Sequence, residues 1–356
     1  MTEEDFNKTH KWICEIKEND NIDSYYLVKE KRIGTTRRDD IFLNIVIADK
    51  SGEIEGKVWD NAEEIDKLFV IGDIIRVQGK VSYFKNQLQV KVVSLEKTSR
   101  PFEASLFMES SDRLPSEMLE ELKKLLTSLK NKNLKTLCRL FLNDESFIDA
   151  IKQWPAAKGA HHAYLGGLLE HTLSVCKLAK KIGEHYEDVL DKEILVVGAF
   201  IHDIGKIEEL SFRNGIEYTD EGRLIGHIIL GLRLLDSKID KITDFPDDLK
   251  LALRHIIASH HGELNFGSPK RPKILEAIAI HLIDDIDAKI KGVSKFMAKD
   301  RNSGSWTEYN RLLERFFFKG SFMMEGIENE LEKNKFFKEN DEEMTASEVG
   351  KQTSLF

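Results

Sequence analysis

Cysteine is scarce in this chain: three in 356 residues, Cys14, Cys138 and Cys176, with no paired spacing among them. That scarcity excludes a disulfide framework and a thiolate zinc site, and it predicts a reducing, cytoplasmic setting. No apolar run approaches the length of a membrane span, and the opening MTEEDFNKTHKW lacks the apolar core of a signal peptide. An excess of positive charge is also missing. The 53 Lys and Arg face 62 Asp and Glu, for a formal net charge of -9. This excludes a protein that coats DNA by bulk electrostatics, although local basic patches and bound cations can still handle phosphates. No internal repeat is visible. What is present is ample apolar content, 41% of residues, and enough length for two or three domains.

From about residue 22 to 97 apolar and polar residues alternate. YYLVKEKRI and IFLNIVIAD flank a basic loop, GTTRRDD; IEGKVWD, NAEEIDKLF, GDIIRVQGKVSYF and QLQVKVVSLEK follow. The pattern predicts five half-buried antiparallel strands with a short helix between the third and fourth. That order resembles the OB-fold, a small barrel that often binds single-stranded nucleic acid. Cations interleave with aromatics here: Arg37, Arg38, Lys57, Trp59, Arg76, Lys80, Tyr83, Phe84 and Lys85. Such a set can track a phosphate backbone while bases stack.

SRPFEASLFMESSDRLP breaks the pattern and reads as a linker. A proline-serine start signal then opens a helical period that predicts helices to about residue 335. The polar, charge-rich end predicts a disordered tail.

Ten of the eleven histidines fall between His161 and His281. His171 lies on an amphipathic helix, and GAFIHDIGK carries His202 and Asp203 at the end of an apolar run. His227 sits in GRLIGHIILGLRLL, His260 and His261 end LALRHIIASHHGE, and Asp284, Asp285 and Asp287 interrupt the apolar ILEAIAIHLIDDIDAKI. Imidazoles and carboxylates in apolar helices are unfavourable unless they are paired or coordinate a metal. Five separate helices carrying the same chemistry point to divalent ions. His202 and Asp203 project about 100° apart, so one can serve a single ion while the other bridges two.

The ordered series of histidines and aspartates is similar to the HD-domain metal-dependent phosphohydrolases. The resemblance implies His171, His202, Asp203, His227, His260 and Asp284 as ligands, with His261 and Asp285 as alternatives at the last two places. DDIDA resembles the family's Asp-x-x-Asp-Ala at Asp284, Asp287 and Ala288. The OB-like part, HHAYLGGLLEHTLSV, HDIGK and SHHGELNFGSPKRP together resemble the YhaM-type 3′-5′ exoribonucleases. That implies two divalent ions, manganese by family habit, acting on single-stranded RNA and also single-stranded DNA. Asp203 would bridge the ions, with His171, His202 and Asp284 on one and His227 and His260 on the other. Lys206 would neutralise a phosphoryl oxygen or else complement a helix end, with Gly205 as a helix stop. His161, His162, Arg271 and Lys273 are candidate substrate contacts, and His281 is a neighbour of the ligands.

The expected chain is thus a multidomain α and β protein. It comprises an N-terminal segment (1–21), a five-stranded OB-like barrel (22–97) and a linker (98–113). A helical connector (114–155), an all-α HD bundle (156–335) and a tail (336–356) follow. The tail ends in QTSLF, which resembles the Gln-x-x-Leu-Phe peptides that dock on the DNA sliding clamp, with Gln352, Leu355 and Phe356 as contacts. Competing readings are a small-nucleotide hydrolase with a regulatory barrel, or a non-catalytic nucleic-acid adaptor.

Overall fold

The computed structural model describes residues 6, 10–36, 39–84, 87–98, 102, 104–159, 162–212, 215–300 and 302–320. The chain forms two compact units, Met1–Ser110 with Ser211–Glu217, and Ser111–Leu210 with Tyr218–Phe356.

In the first unit the strands are β1 (Asn21–Thr35), β2 (Ile41–Asp49), β3 (Gly52–Val58), β4 (Ile74–Phe84) and β5 (Gln87–Lys97), with the helix α1 (Ala62–Asp66) before β4. They close a barrel in the order β1-β2-β3-β5-β4. All pairs are antiparallel except β3 with β5. Side-chain alternation explains the closure. Along β2, Leu43, Ile45 and Ile47 are buried while Phe42, Asn44 and Val46 face outward. The inward residues meet Tyr26, Ile75, Val77, Val81 and Val90 in one core. The β4–β5 register slips at Gln78/Gly79, a bulge that adds the local twist a closed sheet needs. The segment before β1 is tied down by His10, whose ring bridges Ser24 Oγ (2.6 Å) and Asp49 Oδ2 (3.0 Å).

The second unit is helical: α2 (Pro115–Thr127), α3 (Lys132–Leu142), α4 (Glu145–Gln153), α5 (Gly167–His185), α6 (Lys192–Ile201), α7 (Lys206–Glu209), α8 (Asp220–Leu224), α9 (His227–Ile239), α10 (Asp247–Ser259) and α11 (Leu275–Lys299). Proline opens α2, and Asn131, Asp144 and Asp191 cap α3, α4 and α6. Every residue of α6 from Leu195 to Ile201 is buried, so this helix is the axis of the unit. It packs on α5, α10 and α11. The expected connector is part of this body, because Leu122, Leu134 and Phe141 share one core with Phe200.

One expectation is corrected. Residues 302–320 are not helical: among the described residues helix ends at Lys299, and residues 321–335 lie outside them. Residues 302–320 instead form a short ribbon with bridges Trp306–Phe318 and Asn310–Arg315. Aromatic residues crowd this stretch, and they favour paired extended chain over helix. The tail expected over 336–356 lies outside the described residues.

Candidate metal centre and nucleic-acid face

The helix α6 stops at Ile201, and His202 caps it with its backbone N–H on Gly198 O. The turn that follows drops Asp203 into the middle of the unit. Gly205 is not a left-handed helix stop, since its φ is -68°. It is glycine because the start of α9 passes over it: a Cβ there would meet His227 O at 2.0 Å. That close approach sets His227 against Asp203.

Six groups converge. Asp203 Oδ2 lies 3.5 Å from His171 Nε2 and 3.4 Å from His202 Nε2. Asp203 Oδ1 lies 3.7 Å from His227 Nε2 and 3.5 Å from His260 Nε2. Asp284 Oδ1 is 3.2 Å from His171 Nε2 and 3.8 Å from His202 Nε2. The carboxylate of Asp203 therefore divides its oxygens between two sets of imidazoles. Two trios, His171–His202–Asp284 and His227–His260–His261, keep their ligand atoms within 4.8 Å of one another.

The rings are aimed by their other nitrogen. His202 Nδ1 donates to Ala199 O, His260 Nδ1 to Ile257 O, each at 2.8 Å, and His261 Nδ1 to Phe266 O at 2.9 Å. His227 Nδ1 donates to Glu209 Oε1 and His171 Nδ1 to Asp287 Oδ2, again at 2.8 Å. A carbonyl or carboxylate can only accept, so each Nδ1 carries the proton and each Nε2 of a neutral ring offers its lone pair. Asp203 Oδ1, His227 Nε2 and His260 Nε2 are buried without a hydrogen-bond partner. Lone pairs and carboxylates gathered in a buried space call for positive charge, and this donor set fits divalent cations.

Protons and one ammonium supply that charge here. Lys206 turns inward, with Nζ 2.6 Å from Asp203 Oδ2. Burial works against Asp203's charge, but Lys206 and His202 hold its carboxyl well below the usual range. Burial likewise opposes a charged His171, yet the hydrogen bonds to Asp284 and Asp287 push it up to about 9. Burial, then His260 and His227, push His261 down to about 4, and burial lowers His260.

Several expected residues stand elsewhere. Asp285 is ion-paired with Lys289 at 2.7 Å on the surface of α11 and is not among the converging groups. His162 is buried, not a phosphate contact: its Nε2 donates to Asp287 Oδ2 at 3.1 Å and its Nδ1 accepts from Tyr164 Oη. Arg271 is exposed and paired with Glu263. The backbone N–H of Lys273 donates to His255 Nε2, and His281 Nδ1 donates to His260 O. His161 lies outside the described residues. Sequence reasoning missed Glu209 altogether and gave Asp287 no contact of its own. The signal for Asp287 was its place one turn beyond Asp284.

On the barrel, Lys57 Nζ sits over Phe42 (4.8 Å), Phe84 (5.1 Å) and Trp59 (5.8 Å). Phe42 and Trp59 are neighbours at 5.2 Å. The Phe42 ring lies across β1 at Gly34, where a Cβ would come within 2.6 Å of it. A groove of about 590 Å³ runs here, lined by Arg32, Phe42, Asn44, Lys57, Phe84 and Gln89 among others. Phe42 and Arg32 were missed in the sequence. Arg76 does not join this face; its guanidinium is held bidentately by Asp23 at 2.7 and 2.9 Å. Tyr83 and Lys80 are exposed on β4. Arg37, Arg38 and Lys85, like Gln352, Leu355 and Phe356, lie outside the described residues.

Comparison with known families agrees with both halves. Residues 168–289 match the HD domain, residues 27–98 match an OB-fold nucleic acid binding domain, and residues 99–191 match a family described as a putative helicase. Among solved structures, the second OB-fold domain of replication protein A from Methanococcus maripaludis is 20% identical, over 26% of this chain and 99% of its own, with a TM-score of 0.21. The p204 HINb domain is 17% identical over 26% of this chain and 48% of its own, TM-score 0.21. A mitochondrial single-stranded DNA binding protein from S. cerevisiae, Rim1, is 13% identical over 24% of this chain and 100% of its own, TM-score 0.20. The chain is an OB-like barrel followed by a helical HD domain, the make-up of a nucleic-acid-binding, metal-dependent hydrolase. Among the described residues no helix is long and apolar enough to cross a membrane.

Proposed function

We propose that this protein is a metal-dependent 3′-5′ exoribonuclease of the YhaM type, cleaving single-stranded RNA and also single-stranded DNA. The observation that carries the reading is the Asp203 carboxylate divided between two imidazole sets. His171, His202 and Asp284 would hold one divalent ion, His227, His260 and His261 a second, and Asp203 would bridge them. Bound there, the ions supply a water of lowered pKa and neutralise charge on the phosphoryl group. The chain does the rest. Asp287 and Glu209 keep the protons on His171 and His227 Nδ1, so the facing nitrogens stay aimed. Lys206, whose Nζ lies 2.6 Å from Asp203 Oδ2, would neutralise a phosphoryl oxygen at the same place. On the barrel, Phe42, Trp59 and Phe84 offer stacking surfaces for bases, and Lys57 faces the phosphates.

Manganese as the ion, and digestion from the 3′ end, rest on the YhaM resemblance. The free thiols suit a reducing, cytoplasmic setting. Docking of QTSLF on a sliding clamp belongs to the same proposal, and a peptide of the last ten residues tests it by titration against purified clamp.

The deciding experiment is a time course on single-stranded RNA and DNA, labelled at either end, with manganese, magnesium, cobalt or a chelator. Stepwise shortening from the 3′ end that needs the metal is expected. Turnover of mononucleotides with oligonucleotides untouched would replace the reading by a small-nucleotide hydrolase. Tight strand binding with no bound metal and no turnover would make the chain an adaptor.

A further inference from the structure

The ribbon at residues 302–320 follows α11 and lies beyond the residues matched to either the OB or the HD family. One side of it is packed. Thr307 is buried, exchanges hydrogen bonds with Phe317, and Phe317 meets Phe296 of α11 at 6.2 Å. Lys319 Nζ and Glu308 N hold Asp300 at the end of that helix, at 2.6 and 2.9 Å. The other side is open. Trp306 pairs with Phe318 at 5.3 Å and Tyr309 with Phe316 at 5.1 Å. Phe316 and Phe318 flank Phe317, so strand alternation turns both away from the packed side. All four rings are between 43% and 55% exposed. Half of the roughly 200 Å² that each ring could bury makes a patch of about 400 Å², and patches of that size mark interaction sites.

Charge says what covers it. Residues 289–320 contain eight lysines and arginines and three acids, in a chain of net charge -9. Arg311 and Arg315 are exposed on the same ribbon. Open aromatic faces with cations beside them suit a polyanion that carries flat bases. The same helix links the patch to the metal centre. From Asp284 to Phe296 is twelve residues, about 18 Å along α11.

We propose that Trp306, Tyr309, Phe316 and Phe318 form a stacking platform for single-stranded nucleic acid, holding the strand at a fixed distance from the scissile phosphate. This rests on reading the centre as a phosphodiester-cleaving site. The platform gives the helical unit its own grip on the strand, so a substrate too short to span from centre to ribbon loses affinity while its cleavage chemistry is unchanged.

The test uses the full chain with Trp306→Ala, Phe318→Ala and, to preserve apolar volume, Phe318→Leu. Binding of labelled oligouridine of about twelve nucleotides is read by anisotropy in chelator, where nothing is cleaved; each ring lost should weaken it about tenfold. Turnover of bis(p-nitrophenyl) phosphate with manganese should be unchanged. Affinity unaltered in both Trp306→Ala and Phe318→Leu overturns the platform, whatever the diester assay gives. Absence of diester turnover in wild type would instead sink the reading of the centre, while the binding arm still judges the ribbon. Loss of self-association in sedimentation, with oligonucleotide affinity intact, would show a protein-binding face and also overturn the proposal.

Discussion

Asp287 Oδ2 accepts the Nδ1 proton of His171 at 2.8 Å, one turn of helix from Asp284, which faces the same ring's other nitrogen. The carboxylate takes further hydrogen bonds from His162 and Ser174. Burial would raise its pKa, but those donors hold it below the usual range. Asp287→Asn keeps the shape and removes the charge that fixes the ring. It should weaken manganese binding about 10- to 100-fold in a calorimetric titration, with the circular dichroism spectrum retained.

Asp203→Ala should reduce turnover to background even at saturating metal, because it removes the carboxylate that faces both imidazole sets. It also strips Lys206 of its partner, so the metal-free variant should melt lower than wild type. Manganese should raise the melting temperature of wild type and leave the variant's nearly unmoved. A variant that still turns over or still responds to manganese would show that Asp203 does not bridge.

On the barrel, Lys57→Ala with Trp59→Ala should weaken single-stranded RNA binding at least tenfold and lower the salt slope by about one. Hydrolysis of a small diester should not change, since the lost contacts are remote from the chemistry. Nitrocellulose filter binding across a salt series separates these outcomes.

A pH prediction falls on the helical core. Lys238, almost fully buried, donates to Asp144 Oδ2 at 2.5 Å. Hydrogen bonds from Lys238 and Ser146 hold the Asp144 carboxyl well below its ordinary range. Its folded pKa is therefore depressed, so its contribution is full above the unfolded value near 3.9 and fades as pH falls toward the folded one. Asp144→Asn should cost about 2 kcal/mol at pH 7, since solvent screens part of this half-buried carboxylate's charge, or roughly 4–8 °C in melting temperature. Calorimetry should find the gap closing below about pH 4.

The barrel was legible because alternation is local: IFLNIVIAD states its own inward and outward faces. The converging residues were legible because histidine and aspartate interrupt apolar helices. Glu209 was not, since it lies on a helix of four residues and meets His227 eighteen positions on, through a contact only the fold creates. Phe42 alternates outward from Leu43, but its part in the groove was not legible, because its ring lies across a glycine that only the β1–β2 register sets opposite it. The ribbon was misread because WTEYNRLLERFFF carries apolar spacing that a helix could also use. His162 and Arg76 show the converse. Each is a residue type that binds phosphate, here occupied by a carboxylate of its own chain.

The Nδ1 bonds have a kinetic consequence. Each of these imidazoles is held in its rotamer by folding alone, so ion arrival would call for the retreat of Lys206 from Asp203 and the loss of the second proton of His171, not for the turning of a ring. Lys206 is in effect a placeholder cation, exchanged for metal as one plug is drawn and another seated. Loading would then be a local exchange of charge, and the backbones of the empty and loaded centres should superimpose.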